Sequence, residues 1–134
     1  MSLTAAMTDD PLVGRVLHPP PTWRDRVAFT SAAGSLRFAE LAEGARQVAG
    51  WLRDEAGIVP GDRVAICLPK SLEAVLAMYG ILAAGAAWVP LQHLGPPARL
   101  HAILASVGPR LLLASPEAAA ARRCRGPRPA TSPG

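Results

Sequence analysis

The sequence predicts an α/β fold with a parallel sheet in strand–helix–strand–helix–strand order, preceded by a β-hairpin and a helix. Three apolar stretches at residues 63–68, 86–91 and 110–114 have the length of buried strands. Segments of helical periodicity separate them, and short connections containing Gly or Pro join them, as in crossover units. A chain of 134 residues that is 50% hydrophobic can form one domain around one core.

The first structured region is a hairpin. Residues 1–22 form a lead-in segment that includes three consecutive prolines, and we expect about one turn of helix in it, around residues 13–17. Residues 27–30 and 35–37 are short extended stretches around Ser-Ala-Ala-Gly, with Gly34 at the position that can take a positive φ.

A long amphipathic helix is predicted to follow from Phe38. Its buried stripe consists of Phe38, Leu41, Ala45, Val48, Ala49 and Leu52. Charged and polar residues occupy the other face, and Gly57 is placed to end the helix. A turn then leads into the first strand of the parallel sheet, which is apolar throughout and therefore covered on both faces.

Residues 74–91, AVLAMYGILAAGAAWVPL, form an apolar run long enough to span a bilayer as a helix. Gly80, Gly85 and Pro90 weaken or stop a single helix, so we interpret the run as a crossover helix and the strand that it feeds. Ser71 is the expected N-cap, and Glu73 favours the positive end of the helix dipole. The predicted buried stripe is Leu72, Val75, Leu76, Tyr79, Leu82 and Ala83.

The third crossover begins at Pro96-Pro97 and carries a stripe of Leu100, Ile103, Leu104 and Val107. Gly108-Pro109 separates it from the last strand. This α/β domain therefore covers residues 23–114. Residues 115–134 are rich in Pro, Arg and Gly, so we expect a disordered basic tail.

Charge and cysteine placement argue against nucleic-acid binding, metal binding and secretion. Four arginines and one glutamate give residues 115–134 a net charge of +3, which leaves only +1 of the total +4 for residues 1–114. The tail lacks interleaved aromatic residues, so a solvated tail is favoured over nucleic-acid binding. Cys67 and Cys124 have no companion ligands at metal spacing. The N-terminus does not resemble a secretory signal, which predicts a cytoplasmic protein without membrane contact.

No pattern of side chains predicts a catalytic centre. The acidic residues are scattered, and His18, His93 and His101 do not pair at ligand spacing. Ser71 follows a strand and a proline, and we favour its interpretation as a helix cap over a role as a nucleophile. The stretch Leu-Pro-Lys-Ser at residues 68–71 places Lys70 beside a helix start, but without glycines the backbone cannot wrap a phosphate, so a capped helix is favoured over an anion site.

Four stretches in order resemble the N-terminal part of the AMP-forming adenylate synthetase superfamily, which includes acyl-CoA ligases and amino-acid-adenylating domains. SLRFAEL at residues 35–41 is similar to the family's L-T-Y-x-E-L, and GIVPGDRVAI at 57–66 to its G-V-x-x-G-D-x-V-A-I. LAAGAAWVPL at 82–91 is similar to L-K-A-G-x-A-Y-V-P-L. The continuation to Ala114 fits P-x-x-R-L-x-x-I-L and P-x-L-L-L, with a lean toward the amino-acid-adenylating branch.

The chain departs from the family pattern at two sites, one of a single residue and one of two residues. Arg37 stands where a Thr would complete a capping box with Glu40, so the helix start loses one cap bond. Gln92-His93 stand where the family has Asp-Pro.

The family's Ser/Thr/Gly-rich ATP loop, its Mg²⁺-binding acid and its C-terminal catalytic lysine do not appear in the sequence. The resemblance implies ATP and Mg²⁺ for the full-length family. It assigns no catalytic, cofactor-binding or metal-ligating residue to this chain, and we expect the chain alone to use no cofactor and to be inactive.

We interpret the chain as the isolated N-terminal portion of an ATP-dependent acyl- or aminoacyl-adenylate-forming ligase. A frameshifted or degenerate gene is the hypothesis for its origin. Two alternatives remain open. One is half of a split synthetase, in which a second polypeptide supplies the ATP loop. The other is a small interaction module that associates with itself or a partner through an exposed sheet edge or apolar face.

Overall fold

The computed structural model describes residues 11–92 and 95–116. The elements in chain order are α1 (Pro11–Leu17), β1 (Val27–Ser31), β2 (Gly34–Arg37), α2 (Phe38–Asp54), β3 (Arg63–Cys67), α3 (Leu72–Ala83), β4 (Ala87–Pro90), α4 (Pro97–Val107) and β5 (Leu111–Ala114). Residues 117–134 of the predicted disordered tail, His93, and residues 1–10 of the lead-in segment lie outside the described residues.

The strands form two sheets. β1 and β2 make the predicted antiparallel hairpin, with Gly34 at φ 150°. β3, β4 and β5 make a parallel sheet in the order β4–β3–β5, so the third strand along the chain is central. The predicted α/β class and its crossover units are therefore confirmed. The chain crosses from β4 to β5 through α4 and pairs with the other side of β3.

The core lies on both faces of β3, because four of its five residues are buried. Val64 and Ile66 belong to a cluster formed with α2 and α3, whereas Ala65 and Cys67 contact Leu91 and Leu100 on the opposite face. Alternate residues of a strand point to opposite faces, so a strand covered on both sides is apolar at every position. The run at residues 74–91 divides into α3 and β4, as predicted. No helix within the described ranges is long and apolar enough to cross a membrane.

Close packing of α2 on α3 depends on two glycines. A Cβ at Gly44 would lie 2.5 Å from Leu76 Cδ2, and a Cβ at Gly80 would lie 2.4 Å from Val48 Cγ1. This contact explains why the predicted stripe on α3 is misplaced. The buried residues of α3 are Ala77, Gly80 and Ile81, whereas the predicted positions are half-buried. Because α3 contacts α1, α2, the hairpin and the sheet on different sides, its apolar residues lie on several faces and do not mark one of them.

Three polar contacts fix the N-terminal elements. Arg46 Nη2 donates to the carbonyl oxygen of Leu17, the last residue of α1. Glu40 accepts from the backbone N–H of Arg37 at 2.9 Å, which is one half of a capping box. The other half is missing because a guanidinium cannot accept a hydrogen bond. Arg37 Nη1 instead donates to the carbonyl oxygen of Asp25, and this links the start of α2 to the segment before β1.

Candidate functional site

A groove of about 1010 Å³ lies at the carboxyl ends of β3 and β4. In open α/β sheets this is the edge at which ligands bind. The hairpin forms one wall, the start of α3 a second, and the end of β4 with the following loop a third. The lining residues are Phe29, Thr30, Ser31, Ile66, Leu68, Pro69, Lys70, Ser71, Leu72, Ala74, Val75, Met78, Trp88, Pro90, Leu91, Gln92 and Gly95.

Ser71, which lines this groove, is used as a helix cap. Its Oγ accepts from the N–H of Ala74 at 3.2 Å and donates to the carbonyl oxygen of Pro69 at 2.9 Å. The hydroxyl proton is thus donated to a backbone carbonyl, and both hydrogen-bond partners of Ser71 among the described residues are backbone groups, not a side-chain base. The predicted capping role of Ser71 is confirmed.

Lys70 is the one charged side chain among the described residues that line the groove. The polar side chains of the hairpin wall form contacts within the hairpin itself. Thr30 Oγ1 lies 3.2 Å from Ser35 Oγ, and Ser31 Oγ accepts from the N–H of Ala33 at 3.2 Å. The groove therefore offers mostly apolar surface with a single cation at its rim. This arrangement suits contact with an apolar surface, and the described lining residues contain no acid–base pair.

The histidines are not brought together in the part of the chain that the structure describes. His18 Nδ1 lies 3.1 Å from Arg46 Nη2 at the end of α1, and His101 is on α4. No group of three or more His, Cys, Asp or Glu residues within the described ranges could hold a metal ion. Cys67, the last residue of β3, is buried, as expected for a packing residue.

The motifs at residues 57–66 and 82–91 meet at the opposite, amino-terminal edge of the sheet. Gly61 and Gly85 have φ of +91° and +84°, and the Gly61 N–H donates to the Gly85 carbonyl oxygen at 3.0 Å. Asp62 Oδ2 accepts from the N–H of Val59 at 2.9 Å, while its carbonyl oxygen accepts from Ala87 N–H at 2.8 Å. These residues join two turns, so their role in this chain is structural.

Sequence reasoning did not identify the groove. Phe29 reaches it through the hairpin, which packs on α3 with the Phe29 and Tyr79 ring centroids 6.3 Å apart. Trp88 reaches it from β4 and is 37% exposed. The sequence features that could have indicated the groove are one aromatic residue in each of these two strands. Aromatic residues are common in strands in general, so they do not by themselves indicate a binding surface.

Comparisons with known proteins agree on one family. The model of the AMP-binding enzyme family matches residues 19–132, which is most of the chain. Pyochelin synthetase PchE of Pseudomonas aeruginosa is 51% identical over 69 residues. Among solved structures, a benzoate CoA ligase from Burkholderia xenovorans has a TM-score of 0.74 at 26% identity and covers 81% of this chain.

Two further structures carry nucleotides. The nonribosomal peptide synthetase FmoA3, in its α-methyl-L-serine-AMP bound form, has a TM-score of 0.77 at 30% identity over 86% of this chain. ATP-bound MatB from Rhodopseudomonas palustris has a TM-score of 0.70 at 27% identity. This chain spans only a small part of these proteins, namely 5% of pyochelin synthetase PchE, 22% of the benzoate CoA ligase and 13% of FmoA3.

Proposed function

Because the chain belongs to the AMP-binding enzyme family, we propose that it forms the N-terminal sheet region of an ATP-dependent adenylate-forming ligase and is inactive by itself. The observation that carries this proposal is the arrangement of the motif segments. Residues 57–66 and 82–91 fold into β3 and β4 with their turns joined, in a structure superimposable on ligases at TM-scores of 0.70 to 0.77. In the proposed role, this region supports an active site whose reactive groups come from other parts of the ligase.

The aminoacyl branch of the family is the better candidate. The 51% identity to pyochelin synthetase exceeds the 26% identity to the benzoate CoA ligase, although over a shorter stretch. FmoA3, a nonribosomal peptide synthetase that binds an aminoacyl adenylate, is 30% identical. We therefore propose that the complete enzyme activates an amino acid, with an acyl group as the second possibility.

ATP and Mg²⁺ are proposed as cofactors of the complete ligase and not of this chain alone. Adenylate formation needs amides, a metal ion and cations placed around the leaving pyrophosphate. Lys70 is the one charged side chain among the described residues of the groove, and the start of α3 is occupied by the Ser71 cap. A reaction that consumes ATP also supports the expected cytoplasmic location.

A segment graft tests the proposal. Residues 24–114 would replace the matching segment of a nonribosomal adenylation domain, and ATP–pyrophosphate exchange would be measured. The graft should retain exchange with the host's own amino acid, because this region supports the site without supplying its chemistry. A matched graft carrying Gly80→Val should lose activity, because the added side chain would separate α2 from α3. A folded graft without exchange would contradict the proposal.

A split synthetase is the second candidate, and the open groove favours it. An apolar groove of about 1010 Å³ next to the half-exposed Trp88 is a surface that another polypeptide could cover. This alternative predicts exchange only after the two chains are mixed, and none from either chain alone. For both candidate functions, we propose that the chain has no nucleic-acid or membrane partner.

A further inference from the structure

Two tryptophans of similar exposure lie in different surroundings. Trp51 on α2 is 39% exposed, and Trp88 on β4 is 37% exposed. The positions one helical turn from Trp51 include Gln47, Asp54 and Glu55, which are all exposed. A single apolar side chain on a polar surface is common in soluble proteins and needs no partner.

Trp88 belongs instead to a continuous apolar surface. It lines the groove together with Phe29 of the hairpin, Met78 of α3 and Pro90 of its own strand. These side chains come from three different parts of the fold and converge at the carboxyl ends of β3 and β4. A contiguous apolar surface bordered by polar groups is typical of a contact surface.

The path of the chain indicates what covers this surface. β5 runs parallel to β3, as β4 does, so all three strands end at the groove end of the sheet. Segments that follow β5 in a ligase therefore leave the sheet at this end. The chain covers only 22% of the benzoate CoA ligase to which it is similar, so most of such an enzyme consists of other segments.

Lys70 adds a requirement of charge. It is the one charged side chain among the described residues of the groove. Within residues 11–92 and 95–116, none of the hydrogen bonds involves its ammonium group. Covering a cation with apolar surface is costly unless an opposite charge accompanies it. A surface that covers the groove therefore needs a carboxylate opposite Lys70.

We propose that the groove is the contact surface for the remaining part of the ligase, which covers Trp88 with apolar side chains and places a carboxylate opposite Lys70. This inference rests on the proposed function. It assigns different positions to the two tryptophans in the complete enzyme: Trp88 is buried between segments, and Trp51 stays on the outer surface.

Oxidative footprinting of the graft of residues 24–114 tests the inference. The host would be a nonribosomal adenylation domain with a basic residue at the position of Lys70, so that its own acidic residue is kept. The full chain and the graft would be exposed to hydroxyl radicals, and oxidation of each tryptophan measured by mass spectrometry. In the chain alone, Trp88 and Trp51 should oxidise at similar rates. In the graft, the rate at Trp88 should fall at least about threefold, as for a side chain in an interface core, while Trp51 keeps its rate.

Three variants of the graft test the charge. Lys70→Glu should raise the oxidation of Trp88 toward the rate in the chain alone, because two negative charges would then oppose each other. Lys70→Arg keeps the positive charge and should keep Trp88 protected. Arg53→Glu is the matched control on the exposed face of α2 and should change the rate at neither tryptophan. The unmodified graft decides the main point even if Lys70→Glu does not fold.

The outcomes separate this inference from the proposed function. A graft that catalyses ATP–pyrophosphate exchange but oxidises equally at Trp88 and Trp51 would overturn the inference and leave the proposed function in place. A folded graft without exchange would overturn the proposed function, and the inference with it. Protection of Trp88 in the chain alone would also overturn the inference, because this chain's own residues would then fill the groove.

Discussion

The two ends of the parallel sheet are built differently. The amino-terminal end is closed by hydrogen bonds: Gly61 bonds to Gly85, Asp62 holds its own turn, and Arg63 Nη1 donates to the Val107 carbonyl oxygen at 2.8 Å. The carboxyl-terminal end opens into the apolar groove with Lys70 at its rim. The turn residues of the two motif segments therefore stabilise the fold at one end of the sheet. The strand ends of the same segments, at Ile66 and Pro90, line the groove at the other end, where ligands of such folds bind.

The comparison predicts that stability is concentrated near the closed end. Ile81 is fully buried in the cluster between α2, α3 and the sheet. Ile81→Ala should lower the free energy of unfolding by about 2–5 kcal/mol, from lost burial and the cavity left behind. Trp88→Ala in the groove wall should cost clearly less, because Trp88 is 37% exposed. Urea denaturation followed by circular dichroism measures both, and similar losses would break the comparison.

The α2–α3 contact gives the next largest effect. Gly80→Ala places a Cβ 2.4 Å from Val48 Cγ1 and 3.3 Å from the Ala45 carbonyl oxygen. Overpacking of this kind should cost about 1–3 kcal/mol, reduced by the better helix propensity of Ala. Gly50→Ala is the control, because a Cβ there meets no atom within 4 Å and should stabilise α2 by up to about 1 kcal/mol. Thermal melts of the two variants should therefore shift in opposite directions.

These residues also show how far the sequence predicts the structure. The order of elements follows from apolar periodicity together with Gly and Pro, so β3, α3 and β4 were predicted within about a residue. The buried face of α3 was not predicted correctly. Gly80 is buried because α2 packs closely against it, and a glycine has no side chain that would mark it as part of an apolar stripe in the sequence. The groove was missed for a similar reason, since the hairpin reaches the end of β3 through tertiary packing.

Asp62 tests the closed end directly. Asp62→Ala removes the carboxylate oxygen that accepts from the Val59 N–H and should cost about 1 kcal/mol, the usual net value of one such bond. Asp62→Asn keeps a side-chain oxygen at that place and should recover most of the loss. If the two variants were equally destabilised in denaturant titrations, the turn would depend on the negative charge and not on the hydrogen bond.

The smallest effect is expected at the open end. Lys70 lies in an exposed loop, and none of the hydrogen bonds described for this end of the sheet involves its ammonium group. Lys70→Gln should leave the free energy of unfolding within about 0.5 kcal/mol of the original, as for other exposed substitutions. Ser71→Ala, one residue later, loses the α3 cap and should cost about 1 kcal/mol. A larger loss for Lys70→Gln than for Ser71→Ala would mean that the groove contributes to folding through its charge. The contrast between a structural end and an open end of the sheet would then fail.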